Sequence, residues 1–203
     1  MTRIVGGTAG GRRLAVPPGR DTRPTSDRAR EALFSAVEAI FGRDGGTGGL
    51  SGTRVLDLYA GSGAVGLEAL SRGAVRAVLV ESDAKAVRVL RENVAALALP
   101  GAQVIARPVG VALAEAAAEP FDLVFADPPY ALPAADLAAL LAGAGERGWI
   151  APDAVVVVER ATRDPAWVWP AGLVADRNRR YGEATLWYAR AGRFPADARS
   201  GAD

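Results

Sequence analysis

The chain predicts an α/β fold: a doubly wound, seven-stranded, mostly parallel sheet with a terminal antiparallel hairpin, plus a small N-terminal hairpin-and-helix extension. Three observations predict it. From residue 54 to residue 159 short apolar runs alternate with stretches of helical periodicity. The runs are nearly continuous in apolar residues, as strands covered on both faces must be. The last two, 172–179 and 184–190, are separated only by a break at Tyr181-Gly182, which leaves no room for a helix and makes them a hairpin.

Element by element, Ile4-Val5 and Leu14-Ala15-Val16 are short apolar pieces separated by Gly6-Gly7 and Gly10-Gly11, which predicts a small hairpin and then an irregular loop through Pro17-Pro18-Gly19. A helix follows, with Ala29, Leu33, Ala36, Val37, Ile40 and Phe41 on one face, Thr25 or Ser26 as its cap and Asp27 in its first turn. Residues 1–43 thus form an N-terminal extension and 44–52 a Gly-rich linker. The main domain, 53–191, reads strand 54–59, helix 63–71, strand 75–80, helix 83–98, strand 102–106, short helix 109–117, strand 121–126, helix 134–146 and strand 154–159, then the hairpin. Residues 192–203 are small and polar, a flexible tail.

Composition narrows the chemistry. The 203 residues are half apolar, enough for a sizeable core, and contain neither cysteine nor histidine. Disulfides, thiolate or imidazole zinc sites, iron–sulfur clusters, Ser-His-Asp triads and Cys-His nucleophiles are all excluded. Methylation at cytosine C5 needs a covalent nucleophile, usually cysteine, and radical methylation a cysteine-bound cluster, whereas methylation of an amine needs neither. No run approaches ~18 uninterrupted apolar residues and no secretory signal is seen, so the expected address is the cytoplasm, with no membrane partner. Net charge is only +1, but residues 1–30 hold seven arginines against two aspartates, which predicts an anion-binding arm before a mildly acidic domain.

Two motifs carry function. Val55-Leu56-Asp57-Leu58-Tyr59 runs into Gly61-Ser62-Gly63-Ala64-Val65-Gly66, the G-x-G-x-x-G spacing of a strand turning tightly into a helix, where glycine lets the backbone approach a ligand. Glu81 ends the next strand, with Ser82 beside it, and a carboxylate there can accept from ribose hydroxyls. Dinucleotide-binding domains share this spacing. Asp57 separates the two readings, because a carboxylate before the loop repels a pyrophosphate but suits the cationic amino-acid half of S-adenosylmethionine. The expected cofactor contacts are therefore Asp57, Tyr59, Gly61, Ser62, Gly63, Glu81 and Ser82.

The second motif, Asp127-Pro128-Pro129-Tyr130, closes the apolar run 121–126. A base amine is a poor nucleophile, because its lone pair is delocalised into the ring, and it must be held by its hydrogens with the nitrogen aimed. Asp127 offers a carboxylate, Pro128 a backbone carbonyl, the prolines stiffness and Tyr130 a stacking face for a base extruded from its helix. Both motifs end strands at the carboxyl edge of one predicted sheet, where such folds bind ligands.

These motifs resemble those of the class I S-adenosylmethionine-dependent methyltransferases acting on amino nitrogens. More specifically, Arg3-Ile4-Val5-Gly6-Gly7, Gly11-Arg12-Arg13-Leu14 and Arg23-Pro24-Thr25-Ser26-Asp27-Arg28-Ala29-Arg30-Glu31-Ala32-Leu33-Phe34 are similar to the bacterial RsmD family. The resemblance runs from the first residues to the terminal hairpin. It implies a Rossmann-like fold, the methyl donor S-adenosylmethionine with no metal, and transfer to the N2 amine of a guanine in small-subunit (16S) ribosomal RNA. It also implies catalytic contacts from Asp127, Pro128 and Tyr130. After the third strand, where methyltransferases often place an acidic or amide side chain on the adenine, stand Ala106 and Arg107.

The expected RNA contacts are Arg12, Arg13, Arg20, Arg23, Arg28 and Arg30, although Arg28 and Arg30 also fit an exposed helix face; Arg177, Arg179 and Arg180 form a second basic cluster. The expected partner is ribosomal RNA or the small ribosomal subunit, approached by a monomer. Other readings stay open on the residues alone: an amino-methyltransferase acting on adenine N6 or a protein glutamine amide, an NAD-dependent oxidoreductase, or a non-catalytic RNA-binding module.

Overall fold

The computed structural model describes residues 2–17, 27–43 and 49–194. The expected cap at Thr25 or Ser26, Arg20, Arg23, residues 44–48 of the linker and most of the tail lie outside the described residues. The elements are β1 (Thr2–Arg3), β2 (Arg13–Leu14), α1 (Asp27–Arg43), β3 (Arg54–Leu58), α2 (Ala64–Ser71), β4 (Arg76–Glu81), α3 (Ala84–Leu97), β5 (Ala102–Ala106), α4 (Val109–Ala112), β6 (Phe121–Ala126), α5 (Ala134–Glu146), β7 (Ile150–Ala161), β8 (Leu173–Tyr181) and β9 (Ala184–Ala191). β1 and β2 pair as a separate antiparallel hairpin. The chain forms two compact units, one through Arg107 and one from Pro108.

In the first unit the main sheet runs β5-β4-β3, all parallel. Parallel neighbours need crossovers, which α2 and α3 supply. α2 is buried along its whole length, including Glu68 and Ser71, while α3 is amphipathic and turns Ala86, Val87, Leu90, Asn93 and Leu97 inward. Asp83 starts α3 by accepting from the Ala86 N–H at 2.8 Å, and Ala98 ends it in a left-handed conformation (φ 51°).

In the second unit the order is β6-β7-β9-β8, with β6 and β7 parallel and β7-β9 and β9-β8 antiparallel. The seven strands, mostly parallel with a terminal antiparallel hairpin, are those expected. Two boundaries differ by four residues or more, the others by at most two. α4 stops at Ala112, not at 117, because the chain turns toward β7: the Ala117 N–H bonds the Arg147 carbonyl at 2.9 Å and the Trp149 indole donates to the Glu115 carbonyl at 2.9 Å. β7 begins four residues earlier than expected, at Ile150, which pairs with Phe121. Pro152 and Asp153 (φ 60°) interrupt the apolar pattern there, and the register shifts before Val155 meets Leu123. Among the described residues no helix is long and apolar enough to cross a membrane.

Candidate active site

The glycine loop leaves β3 through Tyr59, a non-glycine residue in the left-handed region (φ 63°), then Gly61 (φ 57°) and Gly63 (φ 80°), which caps α2. A side chain in that region costs roughly 1–2 kcal/mol, so the loop is held by its surroundings. Two carboxylates do the holding. Glu81 accepts from the Gly61 N–H at 2.9 Å and, through its other oxygen, from Ser82 and Asp83 at 2.7 and 2.8 Å. Asp57, buried beneath the loop, accepts from the Gly66 N–H at 2.9 Å.

Two of the glycines also serve packing. A Cβ on Gly63 would lie 2.4 Å from Leu90 Cδ1, and one on Gly66 would lie 2.8 Å from Leu79 Cδ2. Gly63 and Gly66 therefore let α2 close onto β4 and α3. The expected cofactor residues Asp57, Gly61, Glu81 and Ser82 do gather around this loop, and Tyr59 and Ser62 lie within it. Burial drives the Asp57 carboxyl up to about 7; the Gly66 N–H opposes the shift and the nearby Glu81 charge adds to it. A cationic or hydroxyl-bearing ligand relieves that crowding of negative charge, whereas a pyrophosphate would add to it. This donor set fits S-adenosylmethionine.

Sequence reasoning missed Asn93. Its amide nitrogen donates to the Ser62 carbonyl of the loop at 2.9 Å and to the Ala15 carbonyl at 3.0 Å, while its oxygen accepts from the Ala15 N–H at 2.9 Å. One buried side chain thus ties the glycine loop to the segment after β2. The available signal was a lone amide on the apolar stripe of α3.

The Asp-Pro-Pro-Tyr turn follows β6. Asp127 is half-buried, Pro128 buried, and Tyr130 59% exposed, so its ring face is available. With Glu159, Arg160, Ala161, Glu183 and Ala184, these three residues line an open cleft. Parallel register pairs Ala126 with Val158, so Asp127, just past the end of β6, and Glu159, near the end of β7, are the next positions along neighbouring strands. The Tyr130 hydroxyl is held above its ordinary pKa by burial, then by the charges of Asp127, Glu159 and Glu183, with Arg163 opposing. Arg160 braces the turn: it donates to the Leu132 carbonyl at 3.1 Å and pairs with Asp164 at 3.1 Å. The sequence reading singled out none of Glu159, Arg160 and Glu183, which the chain brings in from β7 and the β8–β9 turn.

The arginines divide. Arg13 and Arg28 are exposed. Arg12 is exposed too, but its guanidinium caps α3, donating to the Leu97 carbonyl at 3.1 Å and to the Ala96 carbonyl. Arg30 overturns its expected place among the RNA contacts. It is fully buried, bonded to Asp27 at 2.9 Å and to the Arg3 carbonyl, with Nε 3.5 Å from Glu68. A buried cation survives by such pairing and cannot reach a phosphate. Of the second cluster, Arg179 and Arg180 are exposed, whereas Arg177 bonds Asp176 and lies 6.0 Å from the Tyr188 ring.

The parallel sheet, the carboxylate-clamped glycine loop and the Asp-Pro-Pro-Tyr cleft define a Rossmann-like methyltransferase. Residues 2–190 match the family described as Conserved hypothetical protein 95, and the chain belongs to that family, the RsmD family. It is 34% identical over 197 residues, 97% of this chain and 93% of the relative, to Ribosomal RNA small subunit methyltransferase D of Escherichia coli K12. It is 33% identical over 166 residues, 80% of each chain, to the protein of the same name from Haemophilus influenzae. A solved structure described as "Putative methyltransferase yhhF from Escherichia coli" superposes with a TM-score of 0.79 at 31% identity, covering 94% of this chain and 98% of the other.

Proposed function

We propose that this protein transfers a methyl group from S-adenosylmethionine to the exocyclic N2 amine of a guanine in small-subunit ribosomal RNA, acting in the cytoplasm. The observation that carries the reading is the cleft: Asp127 and Pro128 stand beside the exposed ring of Tyr130 at the carboxyl ends of β6 and β7. The names of the relatives, small-subunit rRNA methyltransferases, point to the same substrate.

S-adenosylmethionine supplies, when bound, an electrophilic methyl group on a sulfonium, and Asp57, Gly61 and Glu81 are the residues that would hold it. Asp127 accepts one amine hydrogen and the Pro128 carbonyl the other, which fixes the nitrogen and spares it from solvent. Tyr130 offers its face to the base and offsets part of the unstacking cost, worth about 1–3 kcal/mol for a base–aromatic stack. Asp127 also takes the proton the amine sheds. Arg13 and Arg28 contact phosphates and orient the RNA.

The test is direct. Purified protein, labelled methyl donor and small-subunit rRNA from cells lacking the protein are incubated together, and the RNA is digested for nucleoside mass analysis. N2-methylguanosine is the expected product. A different methylated nucleoside, or no incorporation, overturns the reading.

A further inference from the structure

We propose that Glu159 selects the base, accepting the N1–H of a guanine whose neighbouring N2 amine is held by Asp127. The inference rests on the functional reading above and deepens it.

Glu159 follows Val158, the register partner of Ala126, as Asp127 follows Ala126 itself, so the two residues take matching positions on neighbouring strands, whose backbones run about 4.8 Å apart. Both line the cleft that Tyr130 borders. The described lining carries three carboxylates, Asp127, Glu159 and Glu183, and one basic side chain, Arg160, so acceptors predominate over donors on the side chains that meet a base edge. Guanine is the base that suits two adjacent acceptors. Its N2 amine and N1–H are neighbouring donors, whereas adenine sets its N6 amine beside an N1 acceptor and cytosine its N4 amine beside an N3 acceptor. A carboxylate facing a ring acceptor is left unpaired and repelled, and sites built around such a hydrogen bond reject the analogue lacking it by large factors. Asp127 alone cannot make that distinction, because all three bases offer it an amine. Glu183, on the exposed turn before β9, adds negative charge at the rim.

The experiment compares two stem-loop RNAs built around the guanine that mass analysis of ribonuclease fragments of the methylated rRNA locates, one carrying guanine and the other 2-aminopurine at that position. The analogue keeps the amine but turns N1 into an acceptor. The wild-type protein should show a kcat/KM for guanine about 100-fold or more above that for 2-aminopurine. In Glu159→Ala the guanine rate should fall by about 100-fold while the 2-aminopurine rate barely moves, so the ratio collapses. Glu159→Gln, whose amide oxygen still accepts, should recover part of it. Each ratio is taken on one preparation, so a reduced folded fraction cancels. A wild-type ratio retained in Glu159→Ala overturns the inference while leaving N2-methylguanosine formation standing. Failure of the wild-type protein to make N2-methylguanosine overturns both.

Discussion

Arg30 and Glu68 meet 3.5 Å apart with neither side chain exposed to solvent, and they join the N-terminal hairpin to the first unit's core. Glu68 also accepts from the Val5 and Gly6 N–H groups at 2.6 and 2.7 Å and from Arg72 Nε at 2.9 Å. Removing one member of a buried pair strands the other, at a cost of about 3–5 kcal/mol. Glu68→Ala should therefore lower the urea midpoint by that equivalent, and should expose the hairpin to proteolysis before β3 is lost. A midpoint within about 1 kcal/mol of wild type would show that the network is not needed for stability.

Asp57 makes a pH prediction whose sign is set by its raised pKa. The native state holds the proton up to about pH 7, while the unfolded chain releases it near 3.8. The native state binds more protons between these values, so this residue's contribution to stability falls as pH rises from about 4 to about 7 and is level above. The total is on the order of a few kcal/mol. Asp57→Asn removes the titration, so its stability relative to wild type should climb across that window. Urea midpoints at pH 5, 6 and 8 check it, and a constant gap between the two proteins would contradict the burial cost.

Much of this was legible because the signals were local. The strands at 102–106 and 121–126 and the helix at 134–146 were placed to the residue, since periodicity and flanking Gly or Pro mark such elements. The gathering of Asp57, Gly61 and Glu81 followed from a motif whose parts lie within twenty-five residues of each other. Arg30 was misread because an arginine on a predicted surface helix looks exposed; only the docked hairpin, with the Arg3 carbonyl, and Glu68 from α2 bury it. Glu159 and Glu183 were invisible for the same reason. Nothing near them in sequence announces a cleft, and their meeting with Asp127 depends on strand order and register.

Arg12 and Arg13 are adjacent in sequence but should behave differently. Arg13→Ala with Arg28→Ala removes two exposed cations, so RNA affinity should drop and the slope of log K against log salt should shrink by about 1.5, at roughly 0.7–0.9 per lost phosphate contact. Arg12→Ala should instead lower stability by about 1 kcal/mol through loss of the α3 cap. Filter binding across salt concentrations, beside thermal melts, separates the two. An unchanged slope in the Arg13/Arg28 variant would return both arginines to solvated decoration.

Asn93 links the glycine loop to the N-terminal segment, so its loss should be felt at both. Asn93→Ala leaves the Ser62 and Ala15 carbonyls and the Ala15 N–H short of a partner, at about 1–3 kcal/mol for a buried group. Calorimetry should show weaker S-adenosylmethionine binding, with the melting temperature also reduced. Full donor affinity in a destabilised protein would mean that Asn93 serves the fold alone.

Asp127 carries the strongest expectation. The amine must lose a proton and be held in one orientation, and the neighbouring residues cannot take over both tasks: Glu159 stands on a different strand and Arg160 is a cation already paired. Asp127→Ala should reduce methyl transfer by at least about 1,000-fold, the combined scale of lost positioning and lost proton acceptance. Asp127→Asn keeps an acceptor oxygen but not the basicity, so it should retain the orientation and lose about 100-fold. Donor affinity should stay within about threefold in both, since Asp127 lies outside the glycine loop and a uniform loss would register about 0.7 kcal/mol at most. Single-turnover rates with saturating donor and RNA give the first pair of numbers and calorimetry the third. Turnover near wild type in Asp127→Ala would remove the amine site from this cleft.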